Sequence, residues 1–172
     1  MTDILFYHLD HQPLERVLPA LLERSLERGW RAVVETGSRE RAEVLDGLLW
    51  TYRQDSFLPH GIDGGEADAD QPVLLTAGPE NSNSANVRFF VDRAVPNSPE
   101  GYERIVYLFS GHDPDAVAEA RLAWKALRDG PQQEWELYNL ADDPYEQHNL
   151  ATAEPEKLEA MLQRVRTQRL RD

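Results

Sequence analysis

The stretch that decides the fold is residues 4–50, ILFYHLDHQPLERVLPALLERSLERGWRAVVETGSRERAEVLDGLLW. It opens with an apolar run at 4–9, and nearly continuous hydrophobicity of this kind is typical of a strand covered on both faces. Leucine and valine then recur every three or four residues over 14–26, which predicts a helix. A second strand at 31–35 and a second helix at 39–50 follow. This alternation indicates an α/β protein with a parallel sheet.

The pattern of strands and helices continues as far as Gly130. Apolar runs predict strands at 73–76, 87–92 and 104–109, and Asp113 is the expected N-cap of a third helix. We therefore expect a three-layer, Rossmann-like α/β fold, in which a mostly parallel central sheet of about five strands is flanked by helices. This first domain covers 1–130.

Residues 131–172 depart from the sequence pattern of the first domain and are predicted to form a separate C-terminal extension. It contains a strand-like apolar run at 135–140, an acidic turn at 142–149 and an amphipathic last helix at 154–171. The fold therefore carries an extra helical tail.

Composition limits the possible partners. The 172 residues include 31 acidic and 18 basic side chains, and the formal net charge of −13 disfavours direct binding to nucleic acid. The absence of cysteine removes disulfides and thiolate chemistry and is compatible with a cytoplasmic location. We expect no membrane interaction, because no apolar run approaches the roughly 20 residues of a spanning helix.

Motifs for catalysis or cofactor binding are scarce. No glycine-rich phosphate loop joins a strand to a helix, which argues against nucleotide binding. The cluster His8, Asp10 and His11 has a spacing that suits a metal, but a solvated turn is the favoured interpretation because no further ligand is suggested. His60 and His112 are expected at the surface. We predict no catalytic residue, metal or cofactor.

One face of the third helix carries a basic and aromatic group. Arg121, Lys125 and Arg128 share a face, and Trp124 lies beside Arg121. Guanidinium groups beside an indole suit an acidic peptide with an aromatic end. The alternative is an ordinary amphipathic helix with the tryptophan in the core, and spacing alone favours that alternative.

A second unusual stretch is 46–60, DGLLWTYRQDSFLPH, which ends the second helix and crowds Trp50, Tyr52, Phe57 and Leu58 into a short connection. Connections normally run over the surface, so large apolar groups here either cap a core or await a partner. If the second alternative holds, Trp50 and Phe57 stay at least partly exposed.

Together, five blocks resemble the chi subunit of bacterial DNA polymerase III: FYHL at 6–9, ERGWR at 27–31, LDGLLWTYRQDSFLPH at 45–60, QPVLLT at 71–76 and RLAWKAL at 121–127. The resemblance covers about residues 1–130. It implies a non-catalytic α/β subunit of the clamp-loader complex, which joins the psi subunit to the acidic, phenylalanine-terminated tail of single-stranded DNA-binding protein.

Carried over residue by residue, the resemblance implies two binding sites. The tail-binding site comprises Arg121, Trp124, Lys125, Arg128 and, as its apolar wall, Phe109. An interface for psi, or for a competing helicase-type partner, comprises Trp50, Phe57, Leu58 and Pro59.

The segment WELYNLADDPYEQHNLA at 135–151, with PEKLEAMLQRV after it, resembles the closing segment of sulfatase-type hydrolases. The chain lacks that family's C/S-x-P-x-R nucleophile motif. A hydrolase-like or nucleotide-binding α/β domain with this tail is the alternative function.

Overall fold

The computed structural model describes residues 2–10, 12–96, 100–128 and 135–137. The elements in chain order are β1 (Asp3–Leu9), α1 (Leu14–Glu27), β2 (Ala32–Glu35), α2 (Arg39–Thr51), β3 (His60–Ile62), β4 (Val73–Thr76), β5 (Val87–Phe90), β6 (Arg104–Ser110), α3 (Pro114–Arg128) and β7 (Trp135–Leu137). A short 3-10 helix, Asp68–Asp70, precedes β4. The predicted alternation of strands and helices is confirmed.

In the described part of the chain, seven strands form one sheet in the order β3-β4-β2-β5-β6-β1-β7, and every pair is parallel. The prediction of about five strands was too low. It missed β3, which has only three residues, HGI, and no apolar run. The last strand, β7, lies in the predicted C-terminal extension and pairs with β1 along Ile4–Phe6.

Helices cover both faces of the sheet, as a three-layer fold requires. Leucines of α1 and α2, such as Leu22 and Leu45, pack with one set of strand residues that includes Val34. On the other face, Ala120 of α3 packs with Ile105 and its neighbours. The strands are therefore buried on both sides, which explains their nearly continuous hydrophobicity.

Local signals begin and end the helices where the sequence predicts. Ser38 is the N-cap of α2, and its hydroxyl accepts a hydrogen bond from the Arg41 amide. Asp113 caps α3 by accepting from the amides of Asp115 and Ala116. After α1, Gly29 has a φ of 77°, a left-handed conformation that glycine adopts without strain.

A buried ion pair lies inside the sheet. Arg88 of β5 and Glu35 of β2 are 3% and 6% exposed, and the Arg88 guanidinium donates to the Glu35 carboxylate. Arg88 also donates to the carbonyls of Gly78 and Pro79 and to the Tyr102 hydroxyl. Burial raises the pKa of Glu35 above its ordinary value even though Arg88 donates to it. The pair fixes the loop before β5 to the sheet.

Candidate protein interface

The end of α2 and the connector that follows it, residues 52–59, present two exposed rings. Trp50 is 56% exposed and Phe57 is 72% exposed, and their ring centroids lie 6.0 Å apart with the planes tilted by 48°. We call these two residues the aromatic pair. The expected exposure of both rings is confirmed. Leu45 and Leu49, which point to the core side of α2, are buried, as the sequence predicts.

Leu58 does not belong to this surface, and its assignment to the interface needs correction. Only 2% of Leu58 is exposed, and it packs in the main core beside α1 and α2. The cause is the extended path of the chain into β3, because successive side chains of an extended segment point to opposite sides. Phe57 therefore faces outward and Leu58 inward, while Pro59 is half-buried.

A carboxylate on α1 holds the connector in place. Glu23 accepts hydrogen bonds from the Tyr52 hydroxyl at 2.6 Å, the Ser56 hydroxyl at 2.7 Å and the Arg53 guanidinium at 3.2 Å. Burial acts to raise the pKa of Glu23, but these three partners outweigh it and hold that pKa below its usual range. The connector is thus tied to the helix packed beneath it.

His60 lies inside the protein, so the prediction of a surface imidazole was wrong. Its side chain is fully buried, because the ring turns back under the end of α2. The His60 ring centroid lies 4.8 Å from that of Trp50, and Nδ1 lies 2.7 Å from the carbonyl oxygen of Leu58. His112 is exposed, as predicted.

Sequence reasoning missed both Glu23 and His60 as parts of this site. In the sequence, Glu23 is one of many charged residues on an amphipathic helix, and no local sequence signal predicts its contact with residues 52–56. A signal for His60 does exist in the alternation of 57–60, where every second side chain turns inward.

The structure describes the proposed tail-binding site in part. α3 carries Arg121, Trp124, Lys125 and Arg128, but the side chains of 124–128 lie outside the described residues. Arg121 is half-buried, and the neighbouring Leu122 is 69% exposed.

Phe109 is half-buried near the carboxyl end of β6, and its ring lies 5.2 Å from that of His8. It packs against the core cluster that includes Ala120. An aromatic ring therefore borders the sheet face that α3 covers.

An open crevice of about 710 Å³ lies at the carboxyl ends of β1, β5 and β6. It sits where α/β folds commonly bind ligands, because α1 follows β1 on one face and α3 follows β6 on the other. Both arginines that line it are paired with carboxylates. Arg41 contacts Asp92 at 2.9 Å, and Arg93 makes a two-pronged contact with Glu119.

The loop at this crevice has an unusual backbone. Asp92 and Arg93 both have positive φ values, 49° and 67°. A side chain at Gly37 would collide with the Asp92 carbonyl oxygen, so glycine lets the two loops approach closely.

The histidine cluster at the end of β1 does not assemble a metal site within the described residues. His8 Nδ1 and Asp10 Oδ2 lie 3.2 Å apart, and His11 falls outside the described part of the chain. Among the residues the structure describes, no group of three or more His, Cys, Asp or Glu side chains is placed to hold a metal ion. The hydrolase and nucleotide-binding alternatives gain no support from this geometry.

No helix in the described part of the chain is long and apolar enough to cross a membrane.

Comparison with known proteins agrees with the resemblance seen in the sequence. A family model described as "DNA polymerase III chi subunit, HolC" matches residues 1–133. A protein of Pseudomonas aeruginosa named "DNA polymerase III subunit chi" is 24% identical over 153 residues, which is 87% of this chain and 98% of that protein. A Rickettsia prowazekii protein named "Probable DNA polymerase III subunit chi" is 29% identical over 87 residues, which is 51% of this chain and about half, 53%, of that protein. The chain belongs to the family of DNA polymerase III chi subunits.

Proposed function

We propose that this protein is a non-catalytic accessory subunit of the DNA polymerase III clamp-loader complex, acting in the cytoplasm. It links that complex to single-stranded DNA-binding protein by recognising that protein's acidic C-terminal tail. A second surface docks the psi subunit or a helicase-type partner through Trp50, Phe57 and Pro59. The observation that carries this proposal is the exposure of the aromatic pair.

The aromatic pair has the physical properties of a docking site. Large exposed rings that lie together leave apolar surface in water, and interfaces commonly concentrate their binding energy in tryptophan and other aromatic residues. Rings held in place also lose little conformational freedom on binding. Glu23 fixes the connector, so Phe57 is presented from an ordered segment.

We expect Trp50→Ala to weaken binding of the same organism's psi subunit by about 30-fold or more, which corresponds to the roughly 2 kcal/mol loss at an interface hot spot. Isothermal titration with purified psi measures this change. Val44→Ala is the matched control, because Val44 is 55% exposed on the same helix but lies 120° around it from Trp50. Equal affinity of wild type and Trp50→Ala would remove the proposed interface.

The tail-binding proposal rests on α3. By helical spacing, Arg121, Lys125 and Arg128 lie on one side of it and supply positive charge locally on a protein of net charge −13. A guanidinium binds a carboxylate through two parallel hydrogen bonds, and Phe109 offers apolar surface for the terminal ring of the peptide.

We expect Arg121→Glu to raise the dissociation constant for the acidic tail peptide about tenfold or more, because charge reversal replaces attraction by repulsion. Fluorescence anisotropy of a labelled peptide measures the constant. Arg16→Glu is the charge-matched control, since Arg16 is exposed on α1, across the sheet from α3. Wild-type binding should also weaken with added salt. Equal binding by Arg121→Glu and Arg16→Glu would contradict the site.

A further inference from the structure

His60 occupies the space beneath the aromatic pair. Its side chain has 0% exposure, and its ring lies under the indole of Trp50 with centroids 4.8 Å apart and planes tilted by 49°. The indole is in turn 6.0 Å from the ring of Phe57. The exposed pair thus rests on a buried third ring.

The two nitrogens of His60 face the two segments that carry the pair. Nδ1 donates to the carbonyl oxygen of Leu58 at 2.7 Å, because a carbonyl oxygen only accepts. On the other edge of the ring, Nε2 lies 3.3 Å from the Asp46 carbonyl oxygen and 3.4 Å from the Asp46 carboxylate. Asp46 precedes Trp50 by about one helical turn, and Leu58 directly follows Phe57.

This arrangement limits the freedom of both exposed rings. Trp50 is the penultimate residue of α2, a position where helix ends fray. A buried ring under its indole restricts the rotamers that the indole can adopt, and the bond to Leu58 fixes the backbone beside Phe57. Side chains that are already ordered lose less entropy on association, so they bind more tightly.

We propose that His60 is a positioning residue that preorganises the aromatic pair for partner binding. This inference rests on the proposed function of the pair as a docking site. The ring of His60 acts through Trp50, and its Nδ1 acts through the connector. Neither part of His60 needs to touch the partner.

The experiment uses protein labelled with 5-fluorotryptophan, with the Trp50 resonance assigned from its loss in Trp50→Phe. Fluorine NMR reports the surroundings of the indole, and titration with the psi subunit reports binding. His60→Ala removes the ring and the donor together. His60→Asn keeps a donor within reach of the Leu58 carbonyl and removes only the ring.

Asn83→Ala is the matched control for lost stability. Asn83 is fully buried and donates to the carbonyls of Ala32 and Gln71, so its loss destabilises the fold without touching the pair. We expect Asn83→Ala to leave both the Trp50 resonance and psi affinity unchanged. We expect His60→Ala to shift and broaden that resonance and to weaken psi binding about tenfold. For His60→Asn, we expect a smaller change in the resonance and a psi affinity between those of wild type and His60→Ala.

An unmoved Trp50 resonance and wild-type affinity in His60→Ala would overturn the proposal while leaving the interface intact. Loss of affinity in Asn83→Ala equal to that in His60→Ala would also overturn it, because general destabilisation would then be sufficient. If His60→Ala does not fold, His60→Asn is judged by the same criteria. If Trp50→Ala binds psi as wild type does, the interface itself fails, and the fluorine resonance alone decides whether His60 positions Trp50.

Discussion

Arg88 and Glu35 place opposite charges on one face of the sheet, on neighbouring strands, where little water reaches either side chain. Moving two charges out of water is costly, and their attraction offsets that cost only when further hydrogen bonds satisfy both groups. Arg88 meets this condition through the carbonyls of the preceding loop and the Tyr102 hydroxyl. Hydrogen bonds from the single side chain of Arg88 therefore hold the loop before β5, which has no regular secondary structure.

Arg88→Ala should lower the free energy of unfolding by about 3–5 kcal/mol, because it leaves the Glu35 carboxylate buried without its partner. The double variant Arg88→Met with Glu35→Met should lose less, since no unpaired charge remains in the sheet. Urea unfolding followed by circular dichroism measures both values. A double variant less stable than Arg88→Ala would show that the cost does not come from the unpaired carboxylate.

At the scale of elements, the connector between α2 and β3 depends on a helix far from it in sequence. Tyr52, Arg53 and Ser56 all donate to Glu23 of α1, and Tyr52 also packs against the core. The connector has no regular secondary structure of its own, so these side-chain hydrogen bonds hold it in place, as backbone hydrogen bonds hold a strand in a sheet. The position of Phe57 is therefore set by the packing of two helices.

The Glu23 site should make the connector sensitive to acid. Because the folded-state pKa of Glu23 is depressed, its contribution to stability is present above the unfolded-state value of about 4.5 and is lost as pH falls through the folded-state pKa. Glu23→Gln should lower the free energy of unfolding at pH 7 by about 1 kcal/mol. It should also flatten the decline in stability below pH 5.

Urea unfolding of wild type and Glu23→Gln from pH 3.5 to 7 checks this expectation. Glu27→Gln is a suitable control, because Glu27 is exposed on the same helix. Parallel pH profiles for wild type and Glu23→Gln would contradict the assigned role of the carboxylate.

At the scale of the whole molecule, local patterns predicted the fold well and tertiary arrangements poorly. The apolar runs of β1, β2 and β4 and the caps Ser38 and Asp113 are readable because each depends on near neighbours in the sequence. β3 was not predictable from local sequence, since its three residues include a glycine and its place depends on pairing with β4 and packing under α2.

At the binding surfaces, too, some features could be predicted from the local sequence and others could not. The exposure of Trp50 and Phe57 followed from the crowding of rings in a connection. The burial of Leu58 and His60 did not, because it depends on the space left beneath α2. Arg88 gave a weak signal, a lone charge in the strand VRFF, but its partner lies 53 residues away.

The order of strands has a consequence for how this chain folds as it is synthesised. β1 comes early in the chain, yet its neighbours on both sides are β6 and β7, which follow it by about a hundred residues or more. Until residue 110 has left the ribosome, an apolar strand with two open edges has no partner in the native sheet. Sheets that depend on pairing between residues distant in sequence fold slowly, and their apolar strands are exposed to aggregation in the meantime. Among the described strands, β1 therefore waits longest during synthesis for a partner in the native sheet.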